Sequence, residues 1–442
     1  MAKRGRVLVA MSGGVDSSVT AYLLKSQGYE CEGATMRLTC SRSFDEVGPR
    51  SCCSLRDIAD AEAVCGKIGI PYRVLDMREI FERRVVDKFV ATYEDGRTPN
   101  PCIDCNRYLK FGALADWAAA HGFDYVATGH YARIARAGSA GAGVGATAGM
   151  SPAGAWAVAA GPAGASAAAN DPVSAALRAA GAWTLSTGVD PAKDQSYVLY
   201  SLTQDRLART LLPLGGLVKG RDVRRIAEEQ GLVNAEKPDS QGICFVPDGD
   251  FAAYIERRRG RLLPEGDIVD GAGRVLGRHR GAIRYTVGQR KGLGVAALHP
   301  VYVTAVDARA NTVTLGENAD LMARGLVADD WIWSAPADAM RALLDEAEER
   351  GEDPDGHRGI PVRVRIRYHQ PAQMAYLSWD DASSVHTGSS SLSADAVAAG
   401  REPRMLRVDF DTPQRAVAPG QAVVAYAGDV VLGGGTALRA IR

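Results

Sequence analysis

The chain lacks two features that would classify it quickly, a long apolar segment and an excess of charge of one sign. None of its 442 residues form a run near the roughly 20 apolar residues of a membrane span, and the apolar run near the N-terminus is too short for a signal peptide. Lysine plus arginine number 52, as do aspartate plus glutamate, so bulk charge does not indicate a nucleic-acid partner. We therefore expect a cytoplasmic protein of two or three domains with no membrane partner.

Eight cysteines are present in a chain that we expect to be cytoplasmic. In that compartment they are better interpreted as thiols, metal ligands or catalytic residues than as a disulfide framework. Cys31, Cys40 and Cys65 fit the interpretation of small buried hydrophobic residues. The stretch 98–106, TPNPCIDCN, is different because two cysteines stand three apart next to two stiffening prolines. That spacing by itself is compatible with a metal clip, a redox pair or the site of a nucleophile.

The first third of the chain alternates short apolar runs with amphipathic stretches. RVLVAM at 6–11 is typical of a buried strand, and apolar residues at helical spacing follow it from 15 to 25. The alternation continues with predicted strands at 31–36, 71–75 and 125–128 and predicted helices at 55–68, 80–93 and 111–121. This pattern predicts an α/β fold with a parallel, doubly wound sheet, in which ligands bind at the carboxyl ends of the strands.

Composition divides the rest of the chain. Residues 138–182 are almost wholly Ala, Gly, Ser and Pro, which predicts a loosely ordered insertion. From about residue 301 the apolar period changes to two, which predicts a C-terminal antiparallel β-barrel. The acidic stretch 340–359 and the Ser/Ala-rich stretch 382–400 are interpreted as loop insertions. The predicted domains are a nucleotide-binding domain at 1–219, a small middle domain at 220–294 and the barrel at 295–442.

The segment SGGVDSS, residues 12–18, lies between the first predicted strand and the first predicted helix. Its glycines allow backbone N–H groups to approach a ligand closely. The helix N-terminus adds partial positive charge, and the hydroxyls add hydrogen-bond donors. No lysine follows as it does in the GxxxxGK[ST] loop. The sequence therefore indicates a phosphate-binding loop of a different kind.

This segment resembles the PP-loop of the ATP pyrophosphatases, which split ATP between the α and β phosphates. The resemblance implies the adenine-nucleotide α-hydrolase form of the doubly wound sheet, with ATP and Mg²⁺ as cofactors. Met36 would pack against the adenine, and Gly129 would let the nucleotide approach the backbone. The full set of implied ATP-binding residues is Ala10, Met11, Ser12, Gly13, Gly14, Val15, Asp16, Ser17, Met36 and Gly129.

Four further motifs narrow the family: TPNPCIDCN, ATGHYA at 127–132, KDQSY at 193–197 and DSQGICF at 239–245. In this order they resemble the tRNA-specific 2-thiouridylases, from residue 5 into the C-terminal barrel. The resemblance implies that Cys105 is the catalytic nucleophile and that Cys244 carries a persulfide. The substrate would be the wobble uridine of certain tRNAs and the product its 2-thio form. A cysteine desulfurase or a relay protein would supply the sulfur, and we expect the enzyme to be a monomer.

The implied chemistry needs an activated oxygen and a sulfur nucleophile. ATP adenylates the C2 oxygen, the persulfide on Cys244 attacks C2, and Cys105 releases the product sulfur, leaving a Cys105–Cys244 disulfide. Three alternatives stay open. Cys102, Cys105 and Cys244 could ligate an iron–sulfur cluster that carries the sulfur. The chain could instead be another PP-loop ligase, such as a small-molecule amide synthetase, or a tRNA-binding module without catalysis.

Local basic segments are consistent with RNA contact. Residues 274–291 contain six lysines and arginines and no acid, and arginines at 363, 365 and 367 alternate along a predicted strand. A base inside an anticodon loop would have to be extruded into a pocket. Cys102 stands where the family usually has an aspartate. The resemblance implies tRNA contacts at Asn100, Pro101, Cys102, His130, Lys193, Asp194, Gln195, Arg367, Tyr368 and Gln421.

Overall fold

The computed structural model describes residues 4–38, 55–137, 172–239, 242–380, 402 and 404–442. Its strands in chain order are β1 (Arg6–Ala10), β2 (Glu30–Arg37), β3 (Tyr72–Asp76), β4 (Tyr125–Ala127), β5 (Ala132–Arg136), β6 (Trp183–Thr187), β7 (Thr210–Leu211), β8 (Gly266–Asp270), β9 (Val275–His279), β10 (Tyr302–Asp307), β11 (Thr312–Gly316), β12 (Met322–Trp333), β13 (Ile360–Arg365), β14 (Gln373–Trp379), β15 (Leu406–Arg415), β16 (Ala422–Ala427) and β17 (Val430–Ile441).

The α-helices are α1 (Val15–Ser26), α2 (Leu55–Ile68), α3 (Arg78–Phe81), α4 (Asp87–Glu94), α5 (Pro101–Asp104), α6 (Leu114–Ala120), α7 (Pro172–Ala179), α8 (Gln204–Ala208), α9 (Arg224–Glu229), α10 (Phe251–Arg259) and α11 (Ala337–Arg350). Wider π-helical turns join α3 to α4 over Glu82–Val86 and α5 to α6 over Cys105–Ala113, and a third precedes α9 at Lys219–Val223. Within the described ranges, no helix has both the length and the apolar character needed to cross a bilayer.

A five-stranded parallel sheet forms the first unit, in the order β3-β2-β1-β4-β7. Successive residues of β1 point into two apolar layers, Val7 and Val9 into the layer formed with α1, α2 and α9, and Leu8 into the layer formed with α3 and α6. Helices therefore cover both faces, and the predicted doubly wound fold is confirmed. The strand order reverses between β1 and β4, which is where such sheets bind ligands.

The segment that follows residue 219 also belongs to this unit. Val223, Ile226 and Ala227 are buried in the same apolar layer as α1 and α2. The predicted domain boundary at 219/220 therefore falls inside a packed core. The boundary had been placed from a change in composition, which does not report which residues pack together.

A small mixed sheet in the order β10-β11-β8-β9 forms the middle of the molecule. Strand β11 pairs in parallel with β8, and the other neighbours are antiparallel. Its core contains Ile268, Val303, Val313 and Leu315. Strands β10 and β11, which their period-two alternation had assigned to the C-terminal barrel, thus belong to this sheet. Alternation identifies a half-buried strand but does not identify its partner.

The C-terminal barrel has six antiparallel strands in the order β12-β15-β14-β13-β16-β17, and pairing of β12 with β17 closes it. Its interior is filled by large apolar side chains that include Trp331, Leu377 and Val408. The predicted antiparallel barrel is confirmed. The hairpin β5–β6, from the first part of the chain, extends the same sheet because Ser186 of β6 pairs with Val430 of β17.

Two stretches that composition marked as insertions contain helices. Helix α11 covers much of the acidic stretch and buries Met340, Leu344 and Ala347 against the barrel. The loop prediction was wrong there, because acidity describes only the exposed face, whereas apolar residues at this spacing mark an amphipathic helix. Helix α7, near the end of the predicted insertion, buries Val173 and Leu177 against the same core. Residues 138–171 and 382–400 lie outside the described residues.

Candidate active site

The segment between β1 and α1 forms a tight turn at the carboxyl edge of the parallel sheet. Gly13 has a φ of +71°, and a Cβ there would lie 2.3 Å from the carbonyl oxygen of Asp57, so that only glycine fits. The Ser17 hydroxyl donates to the Gly14 carbonyl at 2.9 Å and accepts from the backbone N–H of Ser12 at 3.2 Å. Helix α1 starts directly after this turn, so its N-terminal partial positive charge is directed into it.

Gly129 lies just after β4, across the point where the strand order reverses. A Cβ at this position would come within 2.9 Å of the Cβ of Asp16 and 3.0 Å of the backbone nitrogen of Ser17. Tyr131 donates its hydroxyl proton to Asp16 Oδ1 at 2.6 Å. Burial, together with the charge of Asp16, raises the pKa of Tyr131 and keeps it a donor. The turns after β1 and β4 therefore meet, which brings the predicted ATP-binding residues of both together.

Lys219 contacts this turn from the π-helical segment before α9. Its side chain is only 7% exposed, and its ammonium lies 2.6 Å from Asp16 Oδ2 and 2.7 Å from Asp239 Oδ1. Asp239 also contacts Lys193 at 3.0 Å and Arg224 at 3.5 Å. Burial acts to raise the pKa of Asp239, but hydrogen bonds from Lys219 and Lys193 outweigh it and lower that pKa. The carboxylate is therefore ionised among three cations.

Asn234 and Lys237 support the turn from the segment after α9. Both side chains donate to the Gly13 carbonyl at 3.0 Å, and Asn234 also donates to the Ser18 hydroxyl at 2.8 Å. Asp57 neutralises Lys237 at 2.6 Å. The sequence analysis missed these residues and Lys219, because each is a single polar residue outside any recognised motif. Asp239 did carry a signal, since it begins DSQGICF, but that motif was used only for its cysteine.

The stretch TPNPCIDCN ends in a helix. Pro101 occupies the first helical position, where a missing N–H is tolerated, and Asn100 precedes it in an extended conformation. The helix then continues through the π-helical turn that begins at Cys105. Cys102 is exposed in the first turn, and Cys105 is half-buried in the next one. The sequence analysis predicted a helix only from residue 111. It therefore missed this extension and did not identify Pro101 as the first helical residue.

Cys105 and Cys244 pack against one apolar cluster on the second face of the sheet. Ala10 and Met36, two of the predicted ATP-binding residues, pack against it as well. Next to Cys244, the ring of Phe245 makes an edge-to-face contact with Phe81 at a centroid distance of 5.6 Å. This Phe81 cluster consists of Leu8, Ala34, Leu38, Met77, Phe81, Val85, Val86, Leu109, Leu114, Ala118, Phe123 and Val126. Both predicted catalytic thiols thus border the same apolar cluster as two predicted ATP-binding residues.

The loop before the cysteine helix docks onto the barrel. The backbone N–H of Thr98 donates to a barrel carbonyl at 2.8 Å, and the Gln421 amide donates to the Thr98 carbonyl at 3.0 Å. Burial raises the pKa of Tyr368 to about 12, and nearby acidic groups that include the Cys102 thiol add to the shift. Thr98 and Gln421 therefore meet at a seam between the nucleotide-binding unit and the barrel, and Asn100 and Cys102 follow Thr98 closely in the chain.

Three family profiles match the chain. One described as the tRNA methyl transferase HUP domain matches residues 5–151 and 158–248. One described as the tRNA methyl transferase PRC-barrel domain matches 252–317, which agrees with the observed middle sheet. One described as the aminomethyltransferase beta-barrel domain matches 389–437.

Curated relatives match this chain over almost its whole length. A protein from Carboxydothermus hydrogenoformans named tRNA-specific 2-thiouridylase MnmA is 42% identical over 440 residues, which are 98% of this chain and 97% of that protein. A protein of the same name from Moorella thermoacetica is 42% identical over 432 residues, covering 97% of this chain and 98% of that protein. The chain belongs to the tRNA-specific 2-thiouridylase family. The resemblance inferred from the motifs is confirmed.

Several predicted tRNA-contacting side chains of this 2-thiouridylase make contacts within the protein. Asp194 Oδ2 accepts from Arg365 at 2.7 Å, and Gln195 Oε1 accepts from the backbone N–H of Tyr131 at 3.0 Å. Arg367 donates to a backbone carbonyl of β15 at 3.1 Å. The contact between Asp194 and Arg365 joins the segment 193–197 to the barrel. Contact with tRNA stays a prediction for these residues as for Lys193.

His130 is buried beside the turn after β4. Its Nδ1 lies 2.7 Å from the Thr128 hydroxyl and its Nε2 lies 3.5 Å from the Lys110 ammonium. Burial, followed by the charge of Lys110, lowers the pKa of His130 well below 6.5, so the imidazole is neutral. Any contact with tRNA, as predicted for this residue, would have to occur through a neutral ring.

An iron–sulfur cluster held by Cys102, Cys105 and Cys244 would need the three thiols to converge. Cys105 and Cys244 pack on the Phe81 cluster, and over the described ranges, which include all three thiols, no three His, Cys, Asp or Glu side chains are grouped as metal ligands. The thiols therefore do not fit that cluster. Mg²⁺ is different, because it binds through one or two carboxylates together with phosphate oxygens and water. Asp16 supplies a carboxylate of this kind in the first turn of α1.

Proposed function

We propose that this 2-thiouridylase converts the wobble uridine of tRNA into 2-thiouridine, with consumption of ATP and release of AMP and pyrophosphate. The observation that supports this most directly is the packing of Cys105 and Cys244 against one apolar cluster next to Met36. Two thiols from distant segments serve sulfur transfer, and an amide-forming ligase of the same fold has no use for them. The tRNA substrate also agrees with the names of the matched relatives.

The first step would be activation of the uridine. The turn after β1 offers backbone N–H groups, serine hydroxyls and the N-terminus of α1 to the phosphates of ATP, and Mg²⁺ would add charge neutralisation between them. The C2 oxygen attacks the α-phosphorus, and pyrophosphate departs. The extruded base would enter at the seam, where Asn100, Pro101 and Cys102 begin the cysteine helix beside Tyr368.

The second step would transfer sulfur. The terminal sulfur of a persulfide on Cys244 adds to C2, and the C2 oxygen leaves with its electron pair as part of AMP. The thiolate of Cys105 then attacks the Cys244 Sγ, and the electron pair of the broken S–S bond stays on the tRNA sulfur. The products are 2-thiouridine and a Cys105–Cys244 disulfide, which a thiol reductant must reduce before the next turnover. A cysteine desulfurase or a relay protein would reload Cys244.

The decisive experiment combines the full chain with unmodified tRNA, ATP, Mg²⁺, cysteine and a cysteine desulfurase. Nuclease digestion followed by mass spectrometry should detect 2-thiouridine. Cys105→Ser and Cys244→Ser should each abolish the product. Cys102→Ser separates the two mechanisms, because the persulfide route does not need that thiol and an iron–sulfur cluster would. No product with the wild-type chain, or full activity in either of the first two variants, would refute the proposal.

A further inference from the structure

Three cations surround the carboxylate of Asp239. Lys219 and Arg224 contact Oδ1 at 2.7 and 3.5 Å, and Lys193 contacts Oδ2 at 3.0 Å. Lys193 is 40% exposed and Arg224 is 30% exposed, so this group, which we call the Asp239 cluster, opens to solvent on one side. Within the part of the chain that the structure describes, the Asp239 carboxylate contacts these three cations and no backbone N–H group.

The Asp239 cluster lies directly beside the phosphate-binding turn. The ammonium of Lys219 bridges Asp239 to Asp16 in the first turn of α1, with 2.6 Å to Asp16 Oδ2. Arg224 donates to the carbonyl of Ala235 at 2.8 Å and so fixes the segment whose neighbouring side chains hold Gly13. An anion that leaves the turn on this side would therefore meet these cations first.

The other nearby carboxylates have different roles. Asp16 also accepts from the Tyr131 hydroxyl at 2.6 Å. Asp190 accepts from the backbone N–H groups of Ala192 and Lys219 at 3.1 and 3.0 Å, so backbone donors hold it in place. Asp239 differs from both because, over the described ranges, its carboxylate contacts the three cations, so another anion could replace it there without leaving a described backbone N–H group unsatisfied.

A diphosphate suits this position better than a carboxylate does. It carries several negative charges and more acceptor oxygens, so it can satisfy two ammonium groups and a guanidinium at once. We propose that Lys193, Lys219 and Arg224 form the site that receives the pyrophosphate leaving group, and that Asp239 occupies this site as an internal competitor when pyrophosphate is absent. This inference rests on the proposed function, because it assigns residues to the product of the adenylation step.

The competitor has a direct consequence for turnover. The return of Asp239 to the cations would displace pyrophosphate and thereby oppose reversal of adenylation. Removing its charge should make pyrophosphate bind more tightly, whereas removing a cation should make it bind more weakly. A carboxylate that only braces the fold would give no gain in pyrophosphate affinity when neutralised.

The test is calorimetric titration of the full chain with inorganic pyrophosphate at low ionic strength, with EDTA present so that no divalent cation contributes. Asp239→Asn should tighten the dissociation constant at least fivefold. Lys219→Met and Arg224→Gln should each weaken it at least tenfold, and Lys193→Gln should weaken it less because that side chain is the most exposed. Glu228→Gln removes one negative charge from an exposed position on the same helix as Arg224 and should leave affinity within twofold.

Folding and function are separated by parallel measurements. Thermal unfolding identifies any variant that has lost its structure. If Lys219→Met is unfolded, the pyrophosphate affinities of Arg224→Gln and Asp239→Asn decide the outcome. Unchanged or weaker pyrophosphate binding by a folded Asp239→Asn variant would overturn the inference, even if the wild type makes 2-thiouridine. If the affinities change as expected but no 2-thiouridine forms, the pyrophosphate site stands and the proposed substrate is wrong.

Discussion

Arg107 Nη1 lies 2.8 Å from Asp330 Oδ2, and this nearly buried ion pair joins the cysteine helix to strand β12 of the barrel. Asp330 has a φ of +48° next to an irregularity in the pairing of β12 with β17, so the backbone is locally shaped to present this carboxylate. One turn earlier, Asp104 pairs with Lys88 at 2.6 Å. Charged contacts from two neighbouring elements thus hold the turn that carries Cys105.

Asp330→Asn should destabilise the protein by about 3–5 kcal/mol, because it leaves the buried Arg107 guanidinium without a counter-charge. Asparagine tolerates a positive φ, so the backbone conformation should be retained. Urea unfolding measures the loss. Asp338→Asn is the matched control, because the Asp338 side chain is 99% exposed in its pair with Arg341. This substitution should lower the free energy of unfolding by about 1 kcal/mol at most. Equal small losses in both variants would contradict the assignment.

Gly129→Ala should weaken ATP binding, because the added methyl would lie 2.9 Å from Asp16 and separate the two turns that we propose as the nucleotide site. The expected loss is about 1–3 kcal/mol, the usual range for an overpacked site. Calorimetry with ATP provides the measurement. Gly66→Ala is the control, since no atom lies within 4 Å of a Cβ there and alanine should favour helix α2. ATP affinity unaffected by Gly129→Ala would refute this role.

Acid should destabilise the protein through His130. Burial holds its folded-state pKa well below 6.5, whereas the unfolded chain binds a proton near the ordinary value. The unfolded state therefore binds more protons than the folded state below about pH 6.5. As the pH falls below that value, this group lowers the free energy of unfolding by about 1.4 kcal/mol for each pH unit. Urea unfolding between pH 5 and 7.5 should show a shallower slope for His130→Gln. His299→Gln, at an exposed position, should keep the wild-type slope, and identical slopes in all three proteins would contradict the prediction.

Thiol reactivity should separate the described cysteines into two groups. Burial raises the pKa of Cys31 to about 11 and that of Cys65 to about 12, so neither is appreciably ionised at pH 8. Brief treatment with iodoacetamide, followed by peptide mass spectrometry, should label Cys102, Cys105 and Cys244 ahead of these two. Protein unfolded in urea should lose that difference, which serves as the control. Early labelling of Cys65 in the folded protein would contradict the burial of this thiol.

The tight turn between β1 and α1 could be predicted from the sequence because its determinants are local. The segment consists of a buried strand, two glycines with serines, and a helix, in direct succession. Each of these features can be recognised from neighbouring residues alone. The residues that hold the turn from a distance could not be predicted, because Lys219 and Asn234 reach it only through the packing of α9 on α1. Nothing in their immediate sequence encodes that packing.

The same distinction explains the errors in the second half. Strand β11 alternates as a strand should, but its parallel partner β8 is set by a chain connection that alternation cannot report. In α11 the local signal was present at Met340, Leu344 and Ala347, and acidic composition was given more weight than spacing. The pairing of Cys105 with Cys244 could be predicted only from family resemblance, since no local pattern relates one to the other.

The hairpin β5–β6 joins the parallel-sheet unit to the barrel through backbone pairing, because β6 pairs with β5 on one side and with β17 on the other. Its residues come from the nucleotide-binding part of the chain, yet Leu185 and Ser186 pair with β17. A barrel expressed alone would leave the first residues of β17, Val430 and Val431, as a short bare edge prone to self-association. A hinge at this joint would have to break those pairs, so the placement of the barrel beside the parallel-sheet unit is set when the chain folds.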